Sequence, residues 1–483
     1  MTQPSAVSES SQSQDHSQER PWLITQELLD FISASPTCFQ ATARFAEMLQ
    51  GAGFIRLEES QSWELEPDQG YFVTRNQSSV IAFRTPAAAI HNAEAAGTAR
   101  GTDAASACYT GFQIGAAHTD SPLFKIKSNP EINFADTYVK LNVEKYGGML
   151  CAPWLDRPLS VAGRVVVRTP QGIRTRLVDL QKNVALIPNL AIHMNRAAND
   201  GVALSVQTDM LPLVGTSQTE GSLMNLVAHA ASSPDCPVQT SDIIAHDLFV
   251  VNNQPGCIWG VADEFASSPQ LDDLQCAFSL MKALVRADAN PTKVQVCALF
   301  DNEEVGSGTK QGADSTFLAD VLARINQALG GTPDTLRQVM TGSFMVSADN
   351  AHSVHPNHPE KADPVNRPRI NQGVVVKHSA NQKYTTDAVS HGVFRAICQK
   401  AGVPVQEFTN HSDVLGGSTL GNISNAHVSL NTVDVGLPQL AMHSPYETCG
   451  VRDTAYLIDA MTLFFMTQVD MDRDGDFRLV MPE

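Results

Sequence analysis

Acidic and imidazole side chains directly follow apolar runs at four separated places in this chain of 483 residues. Carboxylates and imidazoles without a thiolate among them suit zinc or another borderline divalent ion. Ligands of α/β sheets bind outside the carboxyl ends of the strands, so this placement predicts a metal site at such an edge. The four segments are His118-Thr-Asp120, Asp301-Asn-Glu-Glu304, Ser347-Ala-Asp349 and Met442-His443.

Single residues of these segments also allow simpler structural interpretations. His118 alone could be a hydrogen-bonded core histidine. However, residues i and i+2 share one face of a strand, so Asp120 can accept the second imidazole N–H and orient a metal-binding ring. A fifth segment, Leu271-Asp-Asp273, precedes a helical pattern, where Asp272 and Asp273 could equally well cap the helix.

Glu303 and Glu304 could be a solvated pair in a loop. Because adjacent residues of an extended chain point to opposite sides, one of them could instead bind a metal while the other faces a substrate. His352 and His355 are interpreted as loop residues without a role, and Met442 as a core residue.

The elements that position these residues follow from the hydrophobic periodicity. Residues 23–52 show helical spacing interrupted at Ser35-Pro36, which predicts two helices. Residues 132–255 are dominated by strand-like runs between Gly, Pro and Asn. After Ala262 strands alternate with helices again, which indicates an α/β layered domain interrupted by a β-rich insertion. The predicted helices are 274–287, 315–329, 386–402 and 456–469, and the predicted strands include 112–117, 294–300 and 342–346.

Composition excludes several classes of protein. Lys and Arg total 33 against 51 Asp and Glu, and the net charge of −18 repels nucleic acid and anionic membranes. No apolar run reaches the roughly 20 residues that cross a bilayer. The nine cysteines form no CxxC pair, which favours a reducing, cytoplasmic location.

Domain boundaries follow from the same patterns. Residues 1–20 are rich in Ser, Gln and Glu and resemble no signal peptide, so we expect a disordered polar tail. The α/β domain then comprises residues 21–131 and 256–483, on either side of the insertion at 132–255. Residues 85–107 are rich in Ala, Gly and Thr without periodicity, which indicates a surface loop.

The order of short motifs along the chain resembles that of the aspartyl aminopeptidases, relatives of yeast vacuolar aminopeptidase I. One motif alone would be a weak signal, but the whole series in one order is specific and covers nearly all of the chain after residue 20. The motifs are Ala117-His-Thr-Asp-Ser-Pro122, Trp154-Leu-Asp-Arg157, Pro188-Asn-Leu-Ala-Ile-His193, Leu271-Asp-Asp273, Asp301-Asn-Glu-Glu-Val-Gly-Ser307, Ser347-Ala-Asp-Asn-Ala-His-Ser-Val-His-Pro356 and Pro438-Gln-Leu-Ala-Met-His-Ser444. The polar tail and the 85–107 segment depart from the family.

The resemblance implies a zinc-aminopeptidase-type α/β/α sandwich with an inserted β-rich dimerisation domain. It also implies two zinc ions per subunit. His118 and Asp349 would hold one ion, Glu304 and His443 would hold the other, and Asp272 would bridge both.

Further roles are implied for residues around these ligands. Asp120 would orient His118, and Glu303 would be the general base. The Asp272–Asp273 peptide bond would be cis, as in related two-zinc aminopeptidases.

The resemblance also concerns substrate and assembly. Lys377 matches the family position associated with acidic selectivity, so the expected substrates are small peptides with N-terminal Asp or Glu. His193, in the insertion, would reach the active site of a neighbouring subunit. Some descriptions of the family treat this histidine as a metal ligand, but we expect it to contact substrate, because the other five residues already complete two zinc shells. The expected assembly is a large homo-oligomer built from dimers.

Two other functions remain open. A two-zinc deacylase would act on non-peptide amides with the same ligands. A catalytically silent assembly protein would keep the shape without the reaction, although the complete ligand set argues against it. An oxidoreductase is not indicated, because no GxGxxG follows a strand and opens a helix.

Overall fold

The computed structural model describes residues 10–87, 109–414 and 416–482. Most of the loop predicted at 85–107 therefore lies outside the described residues, as do residues 1–9 of the predicted tail. Residues 10–20 are not a disordered tail, because the first helix begins at Ser10. Its later turns bury Leu28 and Ile32 in the core.

Within the described residues the chain forms helices and strands in the following order. The helices are α1 (Ser10–Ser33), α2 (Cys38–Gly51), α3 (Ser222–Ala231), α4 (Leu271–Arg286), α5 (Phe317–Ala328), α6 (Pro333–Thr341), α7 (Ala388–Ala401), α8 (Leu420–Asn425) and α9 (Asp453–Met466). The strands are β1 (Ile55–Arg56), β2 (Gly70–Arg75), β3 (Ser79–Arg84), β4 (Gly111–His118), β5 (Leu123–Phe134), β6 (Tyr138–Tyr146), β7 (Leu159–Thr169), β8 (Gly172–Asp179), β9 (Leu213–Thr216), β10 (Ile243–Asn252), β11 (Cys257–Trp259), β12 (Phe265–Ser268), β13 (Lys293–Phe300), β14 (Phe344–Ala348), β15 (Ala351–His352), β16 (Val374–His378), β17 (Val405–Thr409), β18 (Asn431–Gly436), β19 (Pro438–Leu440), β20 (Glu447–Gly450), β21 (Gln468–Arg473) and β22 (Asp476–Val480).

A mixed central sheet, nine-stranded over the described residues, organises the α/β domain. Its order is β1-β2-β3-β13-β4-β14-β18-β16-β17. The middle strands β13, β4 and β14 run parallel to one another. Alternate residues of β13 face opposite layers: Val296 and Ala298 pack with α5 and α6, whereas Cys297 and Leu299 pack with α4 and α9. Helices therefore cover both faces of the sheet, and the predicted α/β/α sandwich is confirmed.

Helices α4 and α9 approach the middle of the sheet closely because β4 has a glycine there. A Cβ at Gly115 would lie 3.2 Å from Met461 Cε and 3.3 Å from Leu280 Cδ2. Both helices thus pack directly on the strand that ends in His118. The predicted separation of the first two helices at Ser35-Pro36 is also confirmed, since α1 ends at Ser33 and α2 begins at Cys38.

The insertion forms a second sheet with its own core. The order is β8-β7-β10-β5-β6-β9, six strands within the described part of the chain. Its first strand begins at Leu123, so the boundary predicted at Ile132 lies too late. Residues 124–127 alternate apolar and polar side chains, a strand pattern that the boundary predicted at Ile132 did not include. Gln40 of α2 joins the two domains by donating to the carbonyls of Gly163 and Val178, each at 2.9 Å.

A third sheet, β11-β12-β20-β19-β15, lies beside the carboxyl ends of the central strands and carries the loop that contains His443. No helix among the described residues is long and apolar enough to span a bilayer.

Candidate metal centre

Three neighbouring parallel strands bring the predicted acidic and imidazole residues to one edge of the central sheet. His118 is the last residue of β4 and pairs with Phe300, the last residue of β13. Asp349 follows β14 directly, and Glu303 and Glu304 form a short 3₁₀ turn after β13. Parallel strands end at the same edge, so residues distant in sequence meet there, as the motif positions predict.

Three groups of possible metal ligands meet at this edge, among the described residues, and one of them is His118, Glu303 and Glu304. The other two share one carboxylate: the first is His118, Asp272 and Asp349, and the second is Asp272, Glu304 and His443. Within each group the ligand atoms lie within 4.8 Å of one another. His443 Nε2 is 3.3 Å from both Asp272 Oδ2 and Glu304 Oε2, and His118 Nε2 is 3.7 Å from Asp272 Oδ1. The structure thus places all five predicted ligands together, with Asp272 between the two groups.

The electrostatics of these groups fit divalent cations. Asp272 Oδ1 and Glu304 Oε1 are buried and lack a hydrogen-bond partner within the described residues. Burial and the nearby Asp272 carboxylate raise the pKa of Glu304 well above its usual range, and burial together with Asp272 also raises the pKa of Asp349. Buried carboxylates without partners are costly unless a metal or another cation compensates them. The donor set matches zinc, which accepts imidazole and carboxylate ligands.

Asp120 differs from its predicted geometry. Its backbone carbonyl, rather than its carboxylate, lies closest to the His118 ring, 3.0 Å from Nδ1, while Asp120 Oδ1 is 3.5 Å away. The carboxylate instead accepts the backbone N–H groups of Glu303 at 3.1 Å and Glu304 at 3.2 Å. It also accepts the hydroxyl of Tyr146 at 2.6 Å. Asp120 therefore orients three neighbouring residues of the site, with His118 contacted mainly through the main chain.

Glu447 is a positioning residue that the sequence analysis missed. Its carboxylate accepts the backbone N–H of Asp272 at 2.9 Å and that of His443 at 2.6 Å. Burial and the Asp272 carboxylate raise the pKa of Glu447 to about 8. Glu447 lies four residues after His443 on β20, and a single acidic residue at that spacing gives no recognisable sequence signal.

The peptide bond between Asp272 and Asp273 is cis, as predicted. The next carboxylate, Asp273 Oδ2, accepts the backbone N–H of His118 at 3.3 Å. Asp272 and Asp273 therefore both contribute to the site rather than only capping α4.

A cavity of about 330 Å³ opens beside the two ligand groups. It is lined by Glu303, His352, Lys377, Tyr384, Phe408 and Met442, together with the five predicted ligands and neighbouring residues. Two sequence interpretations are corrected here. Met442 lines this cavity and is half-buried instead of lying in the core, and His352 also lines the cavity although no role was assigned to it.

The two predicted substrate-contacting residues have very different surroundings. Lys377 is 3% exposed, so it is not an ordinary surface lysine. Its ammonium donates to the backbone carbonyl of Asn350 at 3.0 Å and lies 3.5 Å from Asp349 Oδ2. Burial lowers the pKa of Lys377, but the charges of Asp349, Tyr384 and Asp434 outweigh it and raise the pKa overall. His193 is exposed on a loop of the insertion and is not among the residues that line the cavity.

Comparison with known proteins identifies the family. The profile of the aminopeptidase I zinc metalloprotease family (M18) matches residues 31–465. The chain belongs to this family. It is therefore a metallo-aminopeptidase, a hydrolase, as the motif series predicts.

Relatives of this M18 chain match over almost their full length. A probable M18 family aminopeptidase 2 of Clostridium novyi is 43% identical over 445 residues, which cover 92% of this chain and 98% of the relative. The structure of Ape4 in complex with Nbr1 superposes with a TM-score of 0.86 at 34% identity, covering 92% of this chain and 85% of that one. The S. cerevisiae mApe1 dodecamer gives a TM-score of 0.76 at 27% identity, covering 92% and 96%.

Tyr146→Phe tests whether the insertion positions the metal centre. Tyr146 ends β6 of the inserted sheet, and its hydroxyl is a donor to Asp120. A hydrogen bond to a charged group contributes about 1.5–3 kcal/mol, so we expect kcat to fall about tenfold to a hundredfold with KM and zinc content unchanged. The measurement is steady-state kinetics together with metal analysis.

The matched control is Tyr138→Phe, at the other end of the same strand, where the ring is exposed and activity should not change. A loss of zinc from Tyr146→Phe, or unchanged kcat, would show that Tyr146 does not act by positioning Asp120.

Proposed function

We propose that this M18 aminopeptidase uses two zinc ions per subunit to remove N-terminal Asp or Glu from peptides. The observation that carries the proposal is the pair of ligand groups sharing Asp272, beside a cavity lined by a half-buried carboxylate, Glu303, and a buried ammonium, Lys377. The ligand groups and Glu303 would carry out the hydrolysis, and the ammonium of Lys377 would select acidic substrates.

His118 and Asp349 would hold one ion, and Glu304 and His443 the other, with Asp272 shared. Two zinc ions at these residues would supply polarisation of the scissile carbonyl and acidification of the attacking water. Asp120 and Glu447 hold the backbone of four site residues, so that the ligands are already arranged before binding.

Glu303 is the proposed general base. Its side chain lines the cavity beside both ligand groups but is not needed to complete the two groups that share Asp272. Burial raises the pKa of Glu303 to about 8, although the nearby His118 opposes this shift. A carboxylate with a pKa near neutrality can accept a proton from the attacking water and return it to the departing amine.

Lys377 is the proposed determinant of acidic selectivity. An ammonium has three N–H donors. The contacts to Asn350 and Asp349 use at most two of them, so one N–H remains to bind a substrate carboxylate. In a buried cavity screening is weak, so one positive charge contributes strongly to the binding of a substrate carboxylate. Tyr384, whose ring centroid lies 5.4 Å from Lys377 Nζ, forms an adjacent wall of the cavity.

The proposed assembly is a closed homo-oligomer in which the insertion delivers His193 to a neighbouring active site. Support comes from the similar mApe1, which is a dodecamer. Around His193 the loop exposes Leu190, Ile192 and Met194, a concentration of apolar side chains typical of a protein interface. The proposed location is cytoplasmic, in keeping with an acidic sequence whose nine cysteines form no CxxC pair.

A deacylase acting on non-peptide amides would use the same two ligand groups. The buried Lys377 would then contact a carboxylate elsewhere on the substrate. Turnover of aminoacyl amides compared with N-acyl amino acids separates the two activities, because only an aminopeptidase requires a free α-amine.

Glu303→Gln should lower kcat by about 10²- to 10⁴-fold, the usual contribution of a general base. Zinc content and thermal stability should remain unchanged, since the ligand groups sharing Asp272 stay complete. Glu304→Gln is the comparison and should lose zinc. If Glu303→Gln loses zinc while Glu304→Gln keeps it, the two roles are exchanged.

Lys377→Ala should abolish the preference for acidic residues. Loss of one partner of a buried charge pair costs about 2–5 kcal/mol, so the ratio of kcat/KM for Asp- over Leu-aminoacyl substrates should fall at least about thirtyfold. Lys383→Ala, an exposed lysine nearby, should leave the ratio unchanged.

Two results would contradict this assignment. Wild-type preference for Leu would refute acidic specificity. A Lys377→Ala variant that keeps its Asp preference would limit Lys377 to holding Asp349.

Mixed oligomers test delivery of His193 to a partner. Chains carrying Glu303→Gln and chains carrying His193→Ala should each be inactive as homo-oligomers. Mixing them should restore activity at active sites that combine an intact Glu303 with an intact partner His193. Absence of recovery in verified mixed oligomers would count against delivery between subunits.

A further inference from the structure

A second cluster of possible metal ligands lies outside the active site, at the edge of the central sheet. It consists of His378 at the end of β16, Glu407 on β17 and His391 in the first turn of α7. Their ligand atoms lie within 4.8 Å of one another, as in the active-site groups. The sequence analysis assigned no role to any of these three residues.

The cluster lies on the opposite face of β16 and β17 from the active-site cavity. Lys377 and Phe408 are paired across the two strands and line the cavity. The side chains one residue further along β16 and one residue earlier on β17 point the other way, toward α7. On that face Val376 packs in the same core as Phe394 of α7.

The distances match the requirements of a small metal site. His378 Nε2 lies 2.7 Å from Glu407 Oε2, and His391 Nε2 lies 3.1 Å from Glu407 Oε1. Zinc–ligand bonds of about 2.0–2.2 Å in a tetrahedron place neighbouring ligand atoms about 3.3–3.5 Å apart. The present separations therefore need only a small opening to admit an ion.

An unpaired ring nitrogen and partial exposure would allow this cluster to bind a cation. His391 Nε2 is buried and makes no hydrogen bond of acceptable geometry within the described residues, despite its proximity to Glu407. Burial lowers the pKa of His391, so its ring is neutral and a nitrogen lone pair is available. The side chains of His378 and Glu407 are 29% and 34% exposed, which leaves a path for an ion and a water ligand to enter.

One charge opposes this role. Arg395, one turn further along α7, contributes a positive charge that lowers the pKa values of both His391 and Glu407. Its side chain is exposed and can turn into solvent when an ion binds.

We propose that His378, His391 and Glu407 bind one divalent ion of the zinc class, separate from the active site, with water as the fourth ligand. Two imidazoles and one carboxylate favour zinc over the oxygen-preferring Mg²⁺ and Ca²⁺. The ion cross-links α7 to the ends of β16 and the edge strand β17.

The experiment is zinc analysis of the full-length protein equilibrated with buffered free Zn²⁺ from nanomolar to micromolar concentration. We expect wild type to bind one more zinc per chain than either His391→Ala or Glu407→Gln, with aminopeptidase activity retained in both variants. The matched control is His427→Ala, which removes a histidine paired with Asp314 alone, 2.6 Å away, and should keep the wild-type zinc content.

Each outcome decides the question. Equal zinc content in wild type and both variants over the whole concentration range overturns the proposal. Parallel loss of zinc and activity also overturns it, because the missing ion then belongs to the active site. If His391→Ala does not fold, Glu407→Gln decides alone, since its amide has the shape of the carboxylate but not the charge.

Discussion

Mutual repulsion of buried carboxylates is the constraint on which the rest of the site depends. Asp272, Glu303, Glu304 and Asp349 are brought together by the ends of neighbouring strands and the start of α4, and several are shielded from water. Such a concentration of negative charge opposes folding unless cations bind, so the unfavourable electrostatics of the empty site are the source of its affinity for metal. His118 and His443 lie in the same groups of possible ligands and add no further negative charge.

Two further carboxylates hold the backbone of these residues in place. Asp120 accepts the backbone N–H groups of Glu303 and Glu304, and Glu447 accepts those of Asp272 and His443. Because these contacts use the main chain, the side chains of Asp272, Glu304 and His443 remain available to bind a metal, as proposed above. Tyr146 extends this support into the inserted sheet, so that the insertion contributes to the active site of its own chain as well as presenting His193 at its surface.

Several of the candidate ligands could be predicted from the sequence because they lie at the ends of strands that terminate at the same edge of the sheet. His118, Glu304 and Asp349 each follow an apolar run, and parallel strands end at a common edge. His443 also follows an apolar run, but it comes from the loop of a separate small sheet, which the sequence pattern did not reveal. Glu447 and Tyr146 were missed because their roles depend on contacts between distant segments: Glu447 accepts the backbone N–H groups of Asp272 and His443, and Tyr146 donates to Asp120. The start of the insertion was misplaced at Ile132 for a similar reason: Leu123 follows the His118 motif without a break in composition.

An acidic protein can still bind acidic substrates, because repulsion by the distant surface charges is screened whereas attraction by a nearby cation is not. A net charge of −18 repels a negatively charged peptide as it approaches, but salt screens that repulsion beyond about 8 Å at physiological ionic strength. Within the cavity the screening ions are excluded, and the nearest charges dominate. Lys377 is 3% exposed and lines the cavity together with Tyr384 and Phe408, so its ammonium acts over a short distance in a medium of low polarity. Local placement of one cation can therefore select a substrate that the protein as a whole repels.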